Sequence, residues 1–472
     1  MARAIVVGSG PNGLAAAVTL ADAGLDVLVL EAADRPGGGA RSAELTLPGL
    51  IHDECSAAHP LALDSSFVHR FDLGAHGLEW CWAEVEYAHP LDGGRGVAAY
   101  RSLADTVSGL GKGGKAWERL FGPASKRFGQ LAEDILRPVI HRPRHPFDLV
   151  RFGARAAMPV ALLARTLPTP EARALFAGVA AHAFRPFGAP MSAAVGVVLG
   201  SAAHGPGWPV ARGGSGAITA ALVSLLESRG GRVETGVEVT SLEETDEADL
   251  VLLDVSPAAA ARLAGPRIPS RVSRALDRFR PGPGSFKVDF AIEGPVPWTD
   301  EASSRAGTVH LGGGLDEIAA TEAQIQRGEM PERPFVLVCQ QYLADPSRSV
   351  GNLNPLYAYA HVPNGYPGDA TEAIERQIER FAPGFRDRVR NRVARTVAAA
   401  ESYDANYIGG DVVGGANDLR QLLFRPRPAR DPYALGIPGV YLCSASTPPG
   451  AGAHGMCGFN AANSALRELG RR

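Results

Sequence analysis

Short apolar runs alternate with glycine-rich breaks at the start of the chain. Residues 4–7 are continuously apolar, as expected of a parallel strand that is covered on both faces. Glycines interrupt the pattern over 8–13, and an alanine-rich helix is predicted over 14–23, with Gly24 beyond its C-terminal end. A second buried strand is predicted over 27–30. This order of elements indicates a β-α-β unit.

The same alternation of short apolar runs and glycine-rich breaks returns in the middle and at the end of the chain. Helices broken by Pro and Gly are predicted between about residues 64 and 205, and much of the last third is Pro-rich. The pattern therefore predicts an α/β fold whose main domain is discontinuous, with other segments inserted into it. The later α/β elements are a helix from Gly213 to Glu227, strands over 233–239 and 250–255, a strand over 439–443 and a helix over 456–469.

A further strand is predicted over 285–292, where apolar and other side chains alternate. One face carries Phe286, Val288, Phe290 and Ile292, and the other carries Lys287, Asp289 and Ala291. Such alternation predicts a half-buried strand. Lys287 stands out because the chain has only three other lysines, Lys112, Lys115 and Lys126.

Composition narrows the class of protein. The 472 residues allow two or three domains, and 45% hydrophobic with 21% charged residues exclude a disordered or multi-span chain. Forty-seven basic and fifty acidic side chains give a net charge of −3, which disfavours nucleic acid as a partner. The five cysteines show no C-x-x-C pair or metal spacing, so no metal is expected. The first apolar run is too short for a signal peptide, which favours the cytoplasm.

Three G-x-G-x-x-G matches occur, and one of them is a decoy. Gly109, Gly111 and Gly114 follow a polar segment, and no second strand comes after them. The same stretch, together with Lys115, matches most of the phosphate-binding loop motif. It lacks the magnesium-binding Ser or Thr of that motif, because Ala116 occupies the position. No nucleotide role is expected there.

The first match meets every requirement of a dinucleotide-binding fingerprint. Gly8, Gly10 and Gly13 follow a buried strand and open a helix, with Pro11 and Asn12 between them. Glu31 ends the second strand, where a carboxylate can accept hydrogen bonds from a ribose. A tight turn in an unrelated α/β protein is the alternative. The fingerprint alone does not choose between NAD and FAD.

Two further features favour FAD. A second glycine loop over 35–42 contains Gly38, Gly39 and Arg41, and its arginine can neutralise phosphates. The third match ends at Gly455, just before a helix predicted to begin at Met456. A helix N-terminus there would stabilise the negative charge that a flavin gains near N1 on reduction.

These motifs resemble the FAD-dependent phytoene desaturase and amine oxidase superfamily, most closely its bacterial phytoene-dehydrogenase-related branch. The resemblance rests on residues 6–13, Glu31 and 35–42, and on 208–214, 441–444 and 454–462. It implies non-covalent FAD in a glutathione-reductase-type domain (1–75, 205–258 and 425–472) interleaved with an α+β substrate domain (76–204 and 259–424). The implied FAD-binding residues are Gly8, Gly10, Pro11, Asn12, Gly13, Glu31, Ala32, Gly38, Gly39, Arg41, Val239, Ser444, Gly455, Met456 and Asn460.

The resemblance also suggests catalytic residues. In amine-oxidase-like members, a lysine on a substrate-domain strand holds a water molecule at flavin N5. The strand that contains Lys287 resembles that strand, which implies the same role for Lys287. A lysine that faces solvent is the alternative. His454 directly precedes the last helix and is a candidate acid or base; a structural histidine or one that binds the flavin is the alternative. His59 and His310 are weaker candidates, and the pair Tyr357 and Tyr359 could wall a pocket or lie in the core. The chain between Val239 and Leu250 is too short for the extra strands of many relatives.

Residues 137–167 combine six arginines with apolar side chains and a single acid, Asp148. A basic amphipathic segment of this kind can lie in a membrane interface, so 138–167 is a candidate for peripheral membrane contact. A solvated helix that covers the substrate domain is the alternative.

Taken together, the motifs predict an FAD-dependent oxidoreductase that moves a hydride from a C–H bond of a hydrophobic, isoprenoid- or polyene-like substrate to flavin N5. Oxygen or a quinone would reoxidise it, because no second nucleotide fingerprint with a ribose carboxylate is present. An amine oxidase-like activity, a redox-neutral polyene isomerase and a partner-binding protein with structural FAD stay open, as does a homo-oligomer.

Overall fold

The opening of the chain forms the predicted β-α-β unit. In the computed structural model, which describes residues 2–470, strand β1 (Arg3–Val7) leads through glycines into helix α1 (Pro11–Asp22) and strand β2 (Asp26–Glu31). The helix begins three residues earlier than predicted, because Pro11 at its first position has a preset φ and no N–H to satisfy. Its alanines let it lie close to the strands, and residues 12–21 are all buried.

The remaining elements follow the order expected of inserted segments. The later strands are β3 (Ser42–Glu44), β4 (Ile51–Asp53), β5 (Trp80–Cys81), β6 (Val85–Leu91), β7 (Arg95–Ala99), β8 (Val210–Ala211), β9 (Arg232–Thr235), β10 (Leu250–Leu253), β11 (Gly284–Glu293), β12 (Ala306–Leu311), β13 (Val336–Cys339), β14 (Leu353–Val362), β15 (Val389–Arg395) and β16 (Val440–Leu442). The later helices are α2 (Ser66–Arg70), α3 (Leu103–Gly109), α4 (Gly114–Ser125), α5 (Phe128–Ile135), α6 (Pro146–Ala156), α7 (Val160–Leu163), α8 (Pro170–Ala181), α9 (Ala193–Ala203), α10 (Gly216–Ser228), α11 (Pro257–Ala264), α12 (Ser270–Asp277), α13 (Glu301–Arg305), α14 (Leu315–Gln326), α15 (Gln341–Ala344), α16 (Thr371–Phe381), α17 (Phe385–Arg388), α18 (Val397–Tyr403), α19 (Leu419–Phe424) and α20 (Met456–Leu469).

Five parallel strands form the first sheet, in the order β16-β10-β1-β2-β9. These strands come from the start, the middle and the end of the chain. Strand β9 stops at Thr235, earlier than predicted, because Gly236 turns the backbone at φ +71°. Between β9 and β10 the chain makes a short 3₁₀ turn at Leu242–Thr245 and adds no further strand. The exact domain boundaries stay predictions.

Helices α1 and α20 pack side by side on this sheet at unusually short range. A Cβ atom at Gly458 would lie 1.7 Å from the Asn12 carbonyl oxygen, and one at Gly455 would lie 2.8 Å from the Ala15 side chain. The two helices therefore contact each other through backbone as well as side chains. This contact sets both helix N-termini close together at the same edge of the sheet.

Seven strands form the second sheet, in the order β15-β11-β14-β13-β12-β6-β7. One face is apolar and packs against α16 through Ile374, Ile378 and Phe381. The other face carries most of the reactive side chains, including Lys287 on β11 and Tyr357 and Tyr359 on β14. Strand β11 is buried on both faces, so the half-buried strand predicted from its alternation is wrong.

Strands β6 and β7 were not expected, because residues 64–205 were predicted to be helical. Strand β6 contains Glu86, His89 and Pro90, which weaken its sequence signal. Glu86 is tolerated in the interior because its carboxylate accepts a hydrogen bond from the Trp208 backbone N–H at 2.6 Å. A partner so distant in the chain is invisible to a periodicity argument.

Candidate active site

The carboxyl ends of the parallel strands bring several of the predicted residues together. The loop from Gly8 to Gly13 follows β1, Glu31 ends β2, Asp254 follows β10 and Ser444 follows β16. Ligands of open α/β sheets bind at this edge. The first and third glycine motifs, which are far apart in the chain, therefore border one site.

The first glycine loop has no room for side chains. A Cβ atom at Gly13 would lie 2.2 Å from the Gly8 carbonyl oxygen, and one at Gly10 would lie 2.7 Å from the Asp254 carboxylate. Gly8 has φ +96°, a backbone conformation that would be strained in any residue with a side chain. The Oδ1 atom of Asn12 is buried and has no hydrogen-bond partner among residues 2–470. The loop thus forms a bare backbone cradle at a helix N-terminus, which fits a dinucleotide phosphate, whereas the Asn12 oxygen is an acceptor that would need a donor.

The second glycine loop lies directly against the first. Gly37 donates its backbone N–H to the Ser9 carbonyl oxygen at 3.1 Å. Glu31 accepts from the Ser9 N–H at 2.9 Å, and its carboxylate lies 3.6 Å from the buried Arg41 guanidinium. Glu31 and Arg41 are therefore fixed beside the loop. Glu31 places a carboxylate and Arg41 a positive charge there.

Two carboxylates at this edge, the buried Asp254 and the half-buried Asp404, were missed by the sequence analysis. Asp254 accepts the Gly13 N–H at 2.8 Å, and the Asp404 carboxylate approaches Gly38. Burial raises the pKa of Asp254 to about 7, and the nearby Asp404 and Glu31 carboxylates act in the same direction. A carboxyl group with a raised pKa takes up a proton more readily than an ordinary carboxylate, and so repels an incoming phosphate less.

The position of Asp254, directly after an apolar strand run, was a signal that could have identified it. Asp404 has no such signal, because it follows α18 in the Pro-rich last third of the chain. The neighbouring Tyr403 donates its hydroxyl to the Gly38 carbonyl oxygen at 2.7 Å. Tertiary packing alone brings residues 403 and 404 onto the second glycine loop.

The start of α20 lies as predicted after a left-handed glycine, Gly455, at φ +69°. His454 is buried, and its Nδ1 atom accepts the Met456 backbone N–H at 3.0 Å. Burial lowers the pKa of His454 to about 4, so the ring is neutral at pH 7. The structure gives His454 a capping role at the helix start, and a catalytic role for it stays a prediction.

The other predicted cofactor residues differ in their surroundings. Ser444 is buried at the sheet edge, where its hydroxyl lies 2.7 Å from that of Ser446. Asn460 donates its side-chain amide to the Leu136 carbonyl oxygen at 3.1 Å, a contact within the protein. Ala32 is exposed just beyond β2, and Val239 packs in the apolar cluster behind the first sheet. The decoy glycines 109–114 join helices α3 and α4 without a strand, as predicted.

Residues 53–56 connect the second glycine loop to the second sheet. Glu54 donates its N–H to the Arg41 carbonyl oxygen, and Ser56 donates to that of Gly39, both at 2.9 Å. From the other side, Lys287 Nζ donates to the Asp53 carbonyl oxygen at 2.9 Å. Lys287 therefore lies one backbone segment away from Gly39 and Arg41.

Lys287 is buried among groups that hold its charge. Its ammonium donates to the Asp289 carboxylate and lies 4.5 Å from the centre of the Tyr357 ring. Burial lowers the pKa of Lys287, and the ion pair with Asp289 opposes this. Asp289 also lies 3.3 Å from the buried His52 imidazole. The alternative of a solvent-facing lysine is wrong.

The aromatic residues lie on the same face of the second sheet. Tyr357 donates its hydroxyl to the Cys55 carbonyl oxygen at 2.8 Å, and its ring meets Tyr359 edge-on at 6.0 Å. His310 belongs to a more distant cluster, where its Nε2 lies 2.9 Å from that of His182. His59 lies 3.2 Å from the Ser215 hydroxyl, and burial lowers its pKa to about 4. Both His59 and His310 are thus held by other side chains.

Comparison with known sequences identifies the first part of the chain. Residues 6–84 match the family model of an NAD(P)-binding Rossmann-like domain. Over 95 residues the chain is 37% identical to pyridine nucleotide-disulfide oxidoreductase domain-containing protein 2 of Mus musculus. The aligned residues make up 20% of this chain and 16% of that protein. The matching region thus spans about a sixth of the length of the curated relatives.

Solved structures resemble the whole chain. An oxidoreductase from Methanosarcina mazei has a TM-score of 0.63 at 16% identity, over 98% of this chain and 100% of the other. A putrescine oxidase bound to putrescine also has a TM-score of 0.63 at 16% identity, over 100% of this chain and 99% of the other. At this identity the likeness establishes the fold. It confirms the predicted α/β architecture of a Rossmann domain interleaved with a second domain.

Proposed function

We propose that this chain is an FAD-dependent oxidoreductase that moves a hydride from a C–H bond of a hydrophobic, isoprenoid- or polyene-like substrate to flavin N5. The observation that carries the proposal is the buried Lys287, which bonds the segment next to the second glycine loop. A buried cation at the junction of a nucleotide cradle and a second sheet is typical of a reaction centre. Bound FAD would supply the hydride acceptor.

The residues of the chain have separate tasks in this scheme. The backbone of the Gly8–Gly13 loop binds the pyrophosphate, and Glu31 binds a ribose. Arg41 adds positive charge beside them. The N-terminus of α20, which lies beside that of α1, stabilises the negative charge that a bound flavin gains on reduction. Lys287 holds a water molecule on the substrate side.

The wall around Lys287 favours a mainly hydrophobic substrate. Tyr357 presents its ring beside the ammonium and is buried, and the half-buried Tyr359 meets it edge-on. Water is thereby kept away from the reacting bond. For reoxidation we propose oxygen or a quinone, since the one parallel sheet of residues 2–470 is taken by the first nucleotide site.

An amine substrate is the second candidate. Lys287 and Tyr357 form a cation–π contact at 4.5 Å, and aromatic surface of this kind supports binding of a cationic group. The putrescine oxidase with the same fold has an amine as its bound molecule. A small aliphatic amine could approach the same aromatic surface.

Anaerobic reduction of the flavin tests the reaction. Purified protein loaded with FAD is mixed with polyenes, isoprenoid lipids or aliphatic amines, and the flavin absorbance is followed. Bleaching by a polyene or lipid supports the main proposal, whereas bleaching by an amine supports the second candidate. No bleaching by any of them would contradict both, and would favour an isomerase or a structural FAD.

The cofactor itself is tested by Gly13→Ala. The added methyl group would lie 2.2 Å from the Gly8 carbonyl oxygen and 2.9 Å from the Asp254 carboxylate, so the cradle must open. We expect the purified variant to contain little FAD and to bind added FAD at least about tenfold more weakly, as measured by fluorescence quenching.

Gly109→Ala in the decoy motif is the matched control, because no atom lies within 4 Å of its added Cβ. It should bind FAD as the wild type does. Normal FAD content in a folded Gly13→Ala variant would contradict the assignment of the first glycine loop.

A further inference from the structure

Exposed apolar side chains are concentrated in one part of the surface. Of the ten large hydrophobic side chains that are exposed among residues 2–470, five lie between residues 139 and 162. Phe147 is 90% exposed, Val150 73% and Ile140 71%. Single exposed apolar residues are ordinary, but a group of this size on a short segment marks an interaction site.

Helix α6 presents part of this group as a stripe. Phe147, Val150, Arg151 and Ala154 are all exposed and follow the spacing i, i+3, i+4 and i+7 that places residues on one face of a helix. The opposite side attaches the helix to the protein, because Phe152 packs against the buried cluster beneath it. The exposed stripe is therefore a fixed surface.

The loop before α6 exposes two more apolar residues in a defined conformation. The buried Asp134 carboxylate accepts the backbone N–H groups of Arg144 and His145, both at 2.8 Å, and the His141 ring at 3.0 Å. These bonds fold the loop back onto α5. Val139 and Ile140 are left on the outside.

The charge of this region is strongly basic. Six arginines lie between residues 137 and 165, and the single acid, Asp148, is paired with Arg127 at 3.1 Å. Three of the six, Arg142, Arg151 and Arg165, are exposed and make no ion pair within residues 2–470. They leave a net positive field around the apolar stripe.

We propose that this surface, formed by Val139, Ile140, Phe147, Val150, Arg142 and Arg151 and called here the α6 surface, docks onto the interface of an anionic lipid bilayer. Apolar side chains would enter the headgroup region while the arginines attract the negative lipids. A second copy of the chain fits less well, because a symmetric contact would bring like charges together.

In this proposal the α6 surface lies in the interface of the bilayer and does not span it. Helix α6 has 11 residues, and no helix in the described part of the chain is long and apolar enough to cross a membrane. The structure also narrows the segment predicted from the sequence, because Leu163 and Val160 are buried in the protein and cannot take part. The inference does not depend on the proposed reaction.

Vesicle flotation with the full-length protein tests the proposal. Vesicles of pure phosphatidylcholine are compared with vesicles containing phosphatidylglycerol, at low and high salt. We expect wild-type protein to float with the anionic vesicles at low salt and to be released at high salt. Phe147→Ser with Val150→Ser should weaken binding at least about tenfold, and Arg142→Gln with Arg151→Gln by about fivefold for each arginine removed.

Matched controls come from other exposed positions. Leu419→Ser removes an exposed apolar side chain elsewhere, and Arg271→Gln with Arg278→Gln removes two exposed arginines. Binding equal to wild type in these controls supports the proposal. Phe147→Trp adds a direct readout, since its difference fluorescence should shift to the blue on anionic vesicles.

Three results of the vesicle experiments would each overturn the proposal. They are no flotation with anionic vesicles at low salt, equal loss of binding in the control variants, and no blue shift for Phe147→Trp. Light scattering measures the oligomeric state and so tests whether a second copy of the chain occupies the α6 surface. A wild-type dimer that Phe147→Ser dissociates would assign the surface to that second copy and would overturn docking to a bilayer.

Discussion

Replacing Arg348 by Met is expected to lower the free energy of unfolding by about 3–5 kcal/mol at pH 7. Arg348 is 1% exposed and binds the Asp53 carboxylate at 2.6 Å, the Asp345 carboxylate at 3.2 Å and the Ala211 carbonyl oxygen at 2.7 Å. Methionine fills a similar volume but leaves two buried carboxylates without their cation. Urea unfolding followed by circular dichroism measures the loss.

The difference between variant and wild type should shrink at low pH. Burial alone would raise the pKa of Asp53, but Arg348 and the Ser215 N–H hold it below its ordinary value. A carboxylate with a lowered pKa stabilises the folded state above its unfolded pKa of about 4, and this contribution is lost as the pH falls. The effect of Arg348→Met should therefore begin to shrink near pH 4 and be lost as the pH falls through the still lower pKa of Asp53 in the folded state.

Arg212→Met is the control for this prediction. Arg212 is exposed and pairs with Glu79 at 2.5 Å, so its loss should change the free energy of unfolding far less than the loss of Arg348. Similar losses for Arg212→Met and Arg348→Met would contradict the view that burial of the Arg348 network determines the effect.

Lys287→Met is expected to slow the reaction of reduced flavin with oxygen on the order of 100-fold while FAD stays bound. The same change should lower the free energy of unfolding by about 3–5 kcal/mol, because Asp289 loses the cation that compensates its burial. Stopped-flow oxidation and urea unfolding measure the two effects separately.

The double variant Lys287→Met with Asp289→Asn separates chemistry from stability. Neutralising Asp289 should restore much of the stability but not the oxidation rate. If both recover together, the role of Lys287 is structural. Lys112→Met, which removes an exposed lysine, should leave both measurements unchanged.

The parts of the fold that sequence could predict depend on local signals. Gly8, Gly10 and Gly13 stand between a strand and a helix, and the backbone geometry that they require is set within a few residues. Helix α20 has the predicted bounds because a left-handed glycine, Gly455, precedes an amphipathic run. Elements defined by their own turns and periodicity were found.

The parts that sequence could not predict depend on distant partners. Strand β6 buries Glu86 because Trp208 supplies an N–H, and Lys287 is buried because Asp289 and the Asp53 carbonyl oxygen receive its ammonium. A prediction from the local sequence pattern alone would place the charged side chains of both Glu86 and Lys287 in solvent. Asp404 approaches the glycine loop through tertiary packing, so the acidic character of the cofactor edge was also missed.

The contact between α1 and α20 has a consequence for synthesis of the chain. Strand β1 and helix α1 are synthesised long before the neighbouring β16 and α20, and Gly458 must come into contact with Asn12. The nascent chain therefore carries the first part of its nucleotide cradle uncovered until α20 has been made. A chain cut before α20 would contain the glycine fingerprint without the helix that packs against it.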